Sequence, residues 1–502
     1  PMYLEFVTHL TSADASEEMQ IQLFQFAFNC LLAQSLIVEL KEILSEEADK
    51  MRWAKTNLDL SLALNSCWFN DDANDVSDLF SLSTKLSKLF YNFDTTTGDI
   101  SNIPSVFRRQ MGASLLAVKE LIAKNCGFDD EPTWIICIDE AEFLSDPLQR
   151  CINSVFRSDS RRIALKVATL PYYHRTLKTL DPGISVSAGN DFSYRVVDMK
   201  YDDADFYNLT NSLVVNRLKS RFDSTLNITT LEDFLGVYGE DAQIDYYREE
   251  VGEAAATYDS ILKEIISELS DDRKRSVADY PNPRKTVYDK FAPIFYARRM
   301  YKLSRNGNTK PGWYAGSQMI RKIAQGNPRA FIQIMNNLFE KARTSKLTPK
   351  VQHGVLIDYV QAFCESTQAL ESNGPTMYRE LNLIAETLHE HVHNQKIRST
   401  GCNFVLSFDS EQSFEYAKKW LQQATAYSRV IVDEDALKNG ITKKTEFLLA
   451  NTYAAKYWLP MRADTSPKSI YIKNNQVATY TVKMPGKKEP PDEQLSLFGE
   501  DL

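Results

Sequence analysis

The chain has 502 residues, well beyond the ~250–300 at which a single hydrophobic core stops growing, so two or three domains are expected. Apolar residues make up 43% and charged residues 25%, a globular balance that excludes a disordered or fibrous chain, and the 18 glycines, about half the average ~7% share, lean towards helix. Fifty-eight basic against 67 acidic residues leave a net charge of −9, which excludes a bulk basic surface for holding nucleic acid but not a local basic face on one domain.

In chain order, residues 2–8 read as a short apolar strand, entered at once after Pro1. A long helix is expected from about Glu17 to Ile43, where Leu23, Phe24, Phe28, Leu31 and Leu32 recur at helical spacing. Residues 75–91 and 104–125 read as further helices, the second with Pro104 near its start. Trp134 to Ile138 is an unbroken apolar run ending in Asp139-Glu140, a pattern that predicts a strand buried on both faces of a parallel sheet. A helix at 145–157, a strand at 163–169 and a strand-like run at 192–199 complete an α/β alternation.

After about residue 200 the periodicity is helical up to 345, broken by polar loops near 272–284 and 304–312. From about 376 the pattern changes again: a helix at 377–393, a strand at 402–409, a helix at 411–424, a strand at 429–435 and an apolar stretch at 445–458 suggest a winged helix-turn-helix. Residues 483–502 are rich in Pro and charge and read as a disordered tail. The boundaries are therefore 1–200 for an α/β core, 201–345 for a helical domain, 346–375 for a linking helical region, 376–465 for the winged helix and 466–502 for the tail.

Seven scattered cysteines, with no C-x-x-C, suit small core residues in a reducing compartment better than disulfides or zinc, and Cys137 lies inside the strand-like run. No window approaches ~18 uninterrupted apolar residues and no signal segment opens the chain, so neither a membrane span nor secretion is expected and the cytoplasm is.

Two acids at the carboxyl end of a buried strand can hold a hydrated cation and activate water, because that edge is where an open α/β sheet binds ligands. Asp139 and Glu140 meet this description, although a solvated acidic turn has the same sequence. Strand 163–169 ends in Thr169, able to position a water or simply to close a strand. Gly326-Asn327-Pro328-Arg329 ends one helix and opens the next, with Pro328 suited to the first helical position. Arg329 then projects from a helix start, where it is either an anion ligand or a surface residue.

The IICIDE strand, the strand ending in Thr169, the GNPR turn, the segments PGWYAGSQMIRKIAQGNPRAFIQIMN (311–336) and AAKYWLPMR (454–462), and their order together resemble the ORC-type AAA+ ATPases in their bacterial form, over most of residues 1–465. The resemblance implies a P-loop AAA+ parallel-sheet domain, an all-helical lid and a winged helix that binds duplex DNA, with ATP and Mg2+ as cofactors. Asp139 would be the magnesium-associated acid, Glu140 the water-activating one, and Thr169 and Arg329 the two sensors. Lys443 and Lys444, with Lys418, Lys419 and Lys438, form the basic face expected to meet DNA. One departure stands out: the 502 residues contain no G-x-x-x-x-G-K-[ST], so the phosphate loop is expected upstream of residue 1. A protein that has lost nucleotide binding, and serves as a scaffold, is the alternative.

In the tail, Gln494-Leu495-Ser496-Leu497-Phe498 resembles the pentapeptide by which bacterial replication and repair proteins dock on the sliding clamp, with Leu497 and Phe498 as apolar anchors and Gln494 hydrogen-bonding beside them. His389, His391 and His393 lack the H-E-x-x-H spacing and read as the polar end of a helix. Arg157, Arg161 and Arg162 are either an arginine finger for a neighbouring copy in a homo-oligomer or a solvated turn.

Overall fold

The computed structural model describes residues 16–477 apart from 46–49, 71–74, 92–100, 127–133, 158–162, 198–203, 222–229, 237–243, 246–247, 250–251, 254–255, 306–311, 344–345, 371–372, 398–400, 462–466 and 474–475. The strand expected at 2–8 and the clamp-like peptide 494–498 lie outside the described residues. The chain divides into two compact units, Pro1–Val196 and Val197–Leu502.

In the first unit, α1 (Glu17–Ser45) is the central helix, burying Phe24, Phe26, Phe28, Ile37 and Leu40 among others. At about 1.5–3 kcal/mol for each large apolar side chain removed from water, this helix is a main contributor to the core. It is also long and apolar enough to cross a membrane, although its apolar residues are not an uninterrupted run, and more than half of its most apolar window is buried inside the protein. Around it pack α2 (Lys50–Phe69) and α3 (Leu79–Tyr91), the latter starting four residues after the expected 75. The helix expected over 104–125 is instead three short ones, α4 (Ser105–Arg108), α5 (Ala113–Leu116) and α6 (Lys119–Cys126). Gly112 breaks it at φ +87°, and the side chain of buried Asn29 replaces the lost helical bonds by donating to Phe107, Arg109 and Gln110 carbonyls and accepting from Gly112 N.

Strand β1 (Trp134–Ile138), helix α7 (Asp146–Arg157) and strand β2 (Ile163–Val167) follow, and β1 pairs β2 in parallel from Trp134↔Ile163 to Ile138↔Val167. Among the described residues, one face of the pair is covered. Trp134, Ile136, Ile138, Ile163, Leu165 and Val167 join the core, while Ile135 is 53% exposed and Cys137, Ala164 and Lys166 are exposed as well. The expectation of a strand buried on both faces, with Cys137 in the core, is corrected accordingly. So is the strand at 192–199: among its described residues 192–197 there is a single isolated bridge at Phe192, and Val197 is 85% exposed.

The second unit begins with helices alone: α8 (Ala204–Arg221), α9 (Leu231–Leu235), α10 (Tyr258–Glu268), α11 (Asp271–Ala278), α12 (Pro283–Arg305), α13 (Ser317–Ala324), α14 (Pro328–Ala342) and α15 (Pro349–Ser366). Helix α11 replaces the polar loop expected near 272–284, because Ser270 caps it, Asp271 and Asp272 occupy its first turn and Arg275 its last. Arg321 of α13 is 4% exposed and ties three helices together, donating to Thr210 Oγ1 at 3.0 Å, Asn211 Oδ1 at 3.0 Å and Glu232 Oε1 at 2.7 Å.

The last part holds α16 (Gly374–His393), β3 (Asn403–Phe408), α17 (Glu411–Ala426), β4 (Val430–Ile431), α18 (Glu434–Asn439), β5 (Glu446–Leu449), α19 (Asn451–Lys456), β6 (Lys468–Lys473) and β7 (Gln476–Val477). The strands form one sheet in the order β4-β5-β3-β6-β7, with β3 antiparallel to β5 and parallel to β6. This sheet is larger than the two strands expected, and residues 468–473 and 476–477, assigned to the tail, are two of its strands. The strand expected over 429–435 closes after Ile431, where Asp433 caps α18. The histidines expected as a polar helix end are also corrected. His389 and His393 stack on each other at 4.3 Å and meet the Tyr301 ring at 4.7 Å each, bond to the carbonyls of Tyr457 (2.7 Å) and Trp458 (2.9 Å), and are held below the usual histidine range by burial, His393 to about 3.

Candidate nucleotide site

The carboxyl edge of the β1–β2 pair brings three of the expected residues together. Ala168 N donates to Ile138 O at 2.8 Å, and Ala141 N donates to Ala168 O at 3.1 Å. Asp139 and Glu140 are the two residues between those bonds, and Thr169 follows Ala168, so all three stand exposed at one sheet end. The backbone is bent there: Glu140 has φ +57°, a left-handed conformation that costs a non-glycine residue roughly 1–2 kcal/mol, and Asp139 Oδ1 accepts from Glu140 N at 2.9 Å to hold it. Among the described residues Thr169 Oγ1 has one long contact, to Leu170 O at 3.4 Å, and the residue is exposed.

Behind this edge, two buried amides position the segment that follows Thr169. Gln149 donates to Leu144 O (3.1 Å) and Tyr173 O (2.8 Å) and accepts from Arg175 N (2.7 Å); Asn153 donates to Thr176 O and Lys178 O, both at 2.9 Å. His174 bonds Asn153 Oδ1 at 2.9 Å, and burial lowers its pKa. These residues belong to no motif legible in the sequence. Their signal was present, since Gln149 and Asn153 are four apart on the same helix face as Leu148, Ile152 and Val155, where a polar pair must serve as a bracket rather than a core.

Arg329 belongs to the second unit. Gln325 ends α13 at φ +53°, and Asn327 caps α14 by accepting from Arg329 N (2.9 Å) and Ala330 N (3.2 Å), with Pro328 at the first helical position as expected. The residue that turns the chain is thus Gln325 together with Gly326, and Asn327 opens the next helix rather than ending the last. Arg329 is exposed, and no ion pair engages its side chain among the described residues. Arg157 pairs with Asp191 at 2.8 Å, a surface bond, while Arg161 and Arg162 fall outside the described residues. Lys443 pairs with Glu411, Lys438 with Glu434 at 2.6 Å and Lys418 with Glu415 at 3.7 Å; Lys444 and Lys419 are exposed.

The first-unit edge suits a hydrated divalent cation. Magnesium keeps most of its waters and is bound through one or two carboxylates plus phosphate oxygens, and Asp139 and Glu140 are exposed oxygen donors of that kind. No cluster of three or more His, Cys, Asp or Glu that could cage a metal occurs among the described residues, so a cation here needs the substrate's oxygens to complete its shell. Comparison with curated proteins and with solved structures gave no significant match. A family profile described as ORC-CDC6-like matches residues 1–470, and the chain accordingly belongs to the ORC-CDC6-like family, AAA+ proteins of the replication-initiator type that generally bind ATP with Mg2+.

Proposed function

We propose that the chain is an ATP-hydrolysing switch acting on duplex DNA in the bacterial cytoplasm, in replication control, mobile-element maintenance or phage defence. The observation that carries this reading is the shared exposure of Asp139, Glu140 and Thr169 at one sheet edge, inside a family of ATP-binding proteins. Magnesium, when bound, supplies the positive charge that neutralises the β- and γ-phosphate oxygens. Asp139 would hold the hydrated cation; Glu140 accepts the proton of the water that attacks the γ-phosphorus as the bond to ADP breaks; Thr169 hydrogen-bonds that water. Arg329 forks onto the γ-phosphate oxygens from the lid, and loss of that phosphate releases it. In the natural full-length protein, Glu140→Gln should retain ATP binding and lose turnover by about a hundredfold or more, the usual weight of a general base being roughly 10²–10⁴. Unchanged steady-state hydrolysis would remove Glu140 from the mechanism.

DNA is assigned to the sheet-containing segment of the second unit, which we read as a winged-helix type module meeting phosphates through Lys443 and Lys444. Most of the lysines around it are half neutralised by adjacent carboxylates, so few counterions are displaced and the salt dependence is shallow. Reversing both lysines to Glu should lower the log–log salt slope of duplex binding by about 2; a slope that does not move places the DNA elsewhere. The alternative reading is a non-hydrolysing AAA+ scaffold that links a DNA-binding winged helix to the sliding clamp, and the Glu140→Gln comparison separates the two.

A further inference from the structure

The turn that carries Arg329 is fastened to the start of α19 by an exchange of caps. Helix α19 opens at Ala450, which has no side chain able to cap it. Its first amide, Asn451 N, donates instead to Gln325 Oε1 at 2.9 Å. In return the side chain of Asn451, 3% exposed, donates to Lys322 O at 2.5 Å and satisfies a carbonyl at the end of α13. Each helix end thus supplies what the other lacks. The choice of residue supports the assignment: Gln325 sits at φ +53°, where glycine or asparagine would be less costly, and only a longer side chain reaches Asn451.

The same segment leads to the lysines assigned to DNA. Lys443 and Lys444 precede β5 (446–449), and Asn451 begins the helix that follows it. Ala450 N donates to Arg429 O at 3.1 Å beside β4, and Leu449 N donates to Cys402 O at 3.2 Å beside β3, so the end of β5 is fixed within the sheet. A short strand of the five-stranded sheet therefore has the Arg329 turn bonded to one end and Lys443-Lys444 at the other.

We propose that the Gln325–Asn451 exchange makes Asn451 a positioning residue for Arg329 and links the nucleotide held there to the DNA-facing end of β5. This rests on the nucleotide and DNA reading given above. Linkage is reciprocal: DNA at Lys443-Lys444 raises the preference for ATP over ADP by the factor by which ATP raises DNA affinity.

The experiment uses the natural full-length protein and three variants, Asn451→Ala, Gln325→Ala and Gln325→Glu, the last keeping an acceptor oxygen. Hydrogen exchange is read at the Arg329 and Ala330 amides, and duplex affinity is compared with a non-hydrolysable ATP analogue and with ADP. In both alanine variants exchange at the two amides should rise about tenfold, equal to about 1.4 kcal/mol or roughly one hydrogen bond, while amides of α10 and α12 stay as they were. The ratio of duplex affinities with the two nucleotides should collapse towards one, with the ADP value unchanged, and Gln325→Glu should behave as the natural protein. If Asn451→Ala does not fold, Gln325→Ala gives the reading. Unchanged exchange at Arg329 and Ala330 would overturn the positioning role, whatever the nucleotides do. Faster local exchange with an intact ratio of affinities would overturn the link to DNA. Should Arg329→Ala itself leave nucleotide preference untouched, the nucleotide reading fails, and with it the link, while the exchange data still decide whether Asn451 holds the turn.

Discussion

The parallel pair β1–β2 and the five-stranded sheet of the second unit differ in how they treat their polar groups. Around the larger sheet, polar side chains are consumed by the fold: buried Glu380 accepts from Val477 N of β7, and buried Arg429 donates to Ser366, Thr367 and the Tyr427 carbonyl. At the end of β1–β2, Asp139, Glu140 and Thr169 are exposed and spend almost none of their side-chain bonding on the protein. The same contrast recurs eight residues apart in the helices of the second unit. Arg321 is buried with three hydrogen-bond partners, and Arg329 is exposed with none of its side-chain donors engaged among the described residues. A buried polar group left unpaired costs the fold dearly, so full pairing marks structure, and an exposed acid or arginine on a rigid support marks a group available to a ligand.

That contrast can be broken most forcefully at Arg321. Replacing it with Ala removes one member of a largely buried ion pair and leaves the Glu232 carboxylate without its arginine, while Thr210 and Asn211 keep their bonds to Tyr207 O and Leu231 N, so unfolding free energy from denaturant titration should fall by about 3–5 kcal/mol. Arg329→Ala should change it by less than about 0.5 kcal/mol, as for other surface positions. Equal effects would erase the distinction between the two arginines.

A smaller effect belongs to pH. His353, pushed down to about 4 by burial, and His393, pushed down to about 3, remain neutral in the fold while their unfolded counterparts take a proton near pH 6.5. Tyr314 N donates to His353 Nδ1, and the groups facing His389 and His393 are Arg298, Lys302, Arg305 and Glu390. Stability is therefore full above pH 6.5 and lost as pH falls below it, by about 1.4 kcal/mol per pH unit for each histidine fully protonated on unfolding. Melting curves between pH 7 and pH 5 should show this fall, and His393→Phe, though it gives up the bond to Trp458, should flatten it. A stability flat to pH 5 would mean that the aromatic cluster around Tyr301 and Trp458 opens to water.

How much of this could be read from the residues follows the same division. Asp139-Glu140, Thr169 and the Gly326-to-Arg329 turn were legible because acids after an apolar run, or proline after asparagine, leave a local mark. Helix α2 left none: Asn57, Ser61 and Asn65 fall on its buried side at helical spacing, so the apolar stripe that signals a helix is interrupted by buried polar groups. The strand expected at 192–199 failed for the opposite reason, since Val196 and Val197 carry strand propensity but no strand among the described residues pairs with them. Gln325 and Asn451, 126 positions apart, meet only through the fold.

Arg329, whose side chain engages no partner among the described residues, is the group we propose to read the γ-phosphate. That role is tested most directly by titrating the natural full-length protein and Arg329→Ala with ADP and with a non-hydrolysable ATP analogue under the same conditions. The account predicts ADP binding within about twofold of the natural protein and a loss of roughly tenfold or more for the ATP analogue, the range of a lost charged hydrogen-bond pair. Equal losses for the two nucleotides, or none for either, would contradict it.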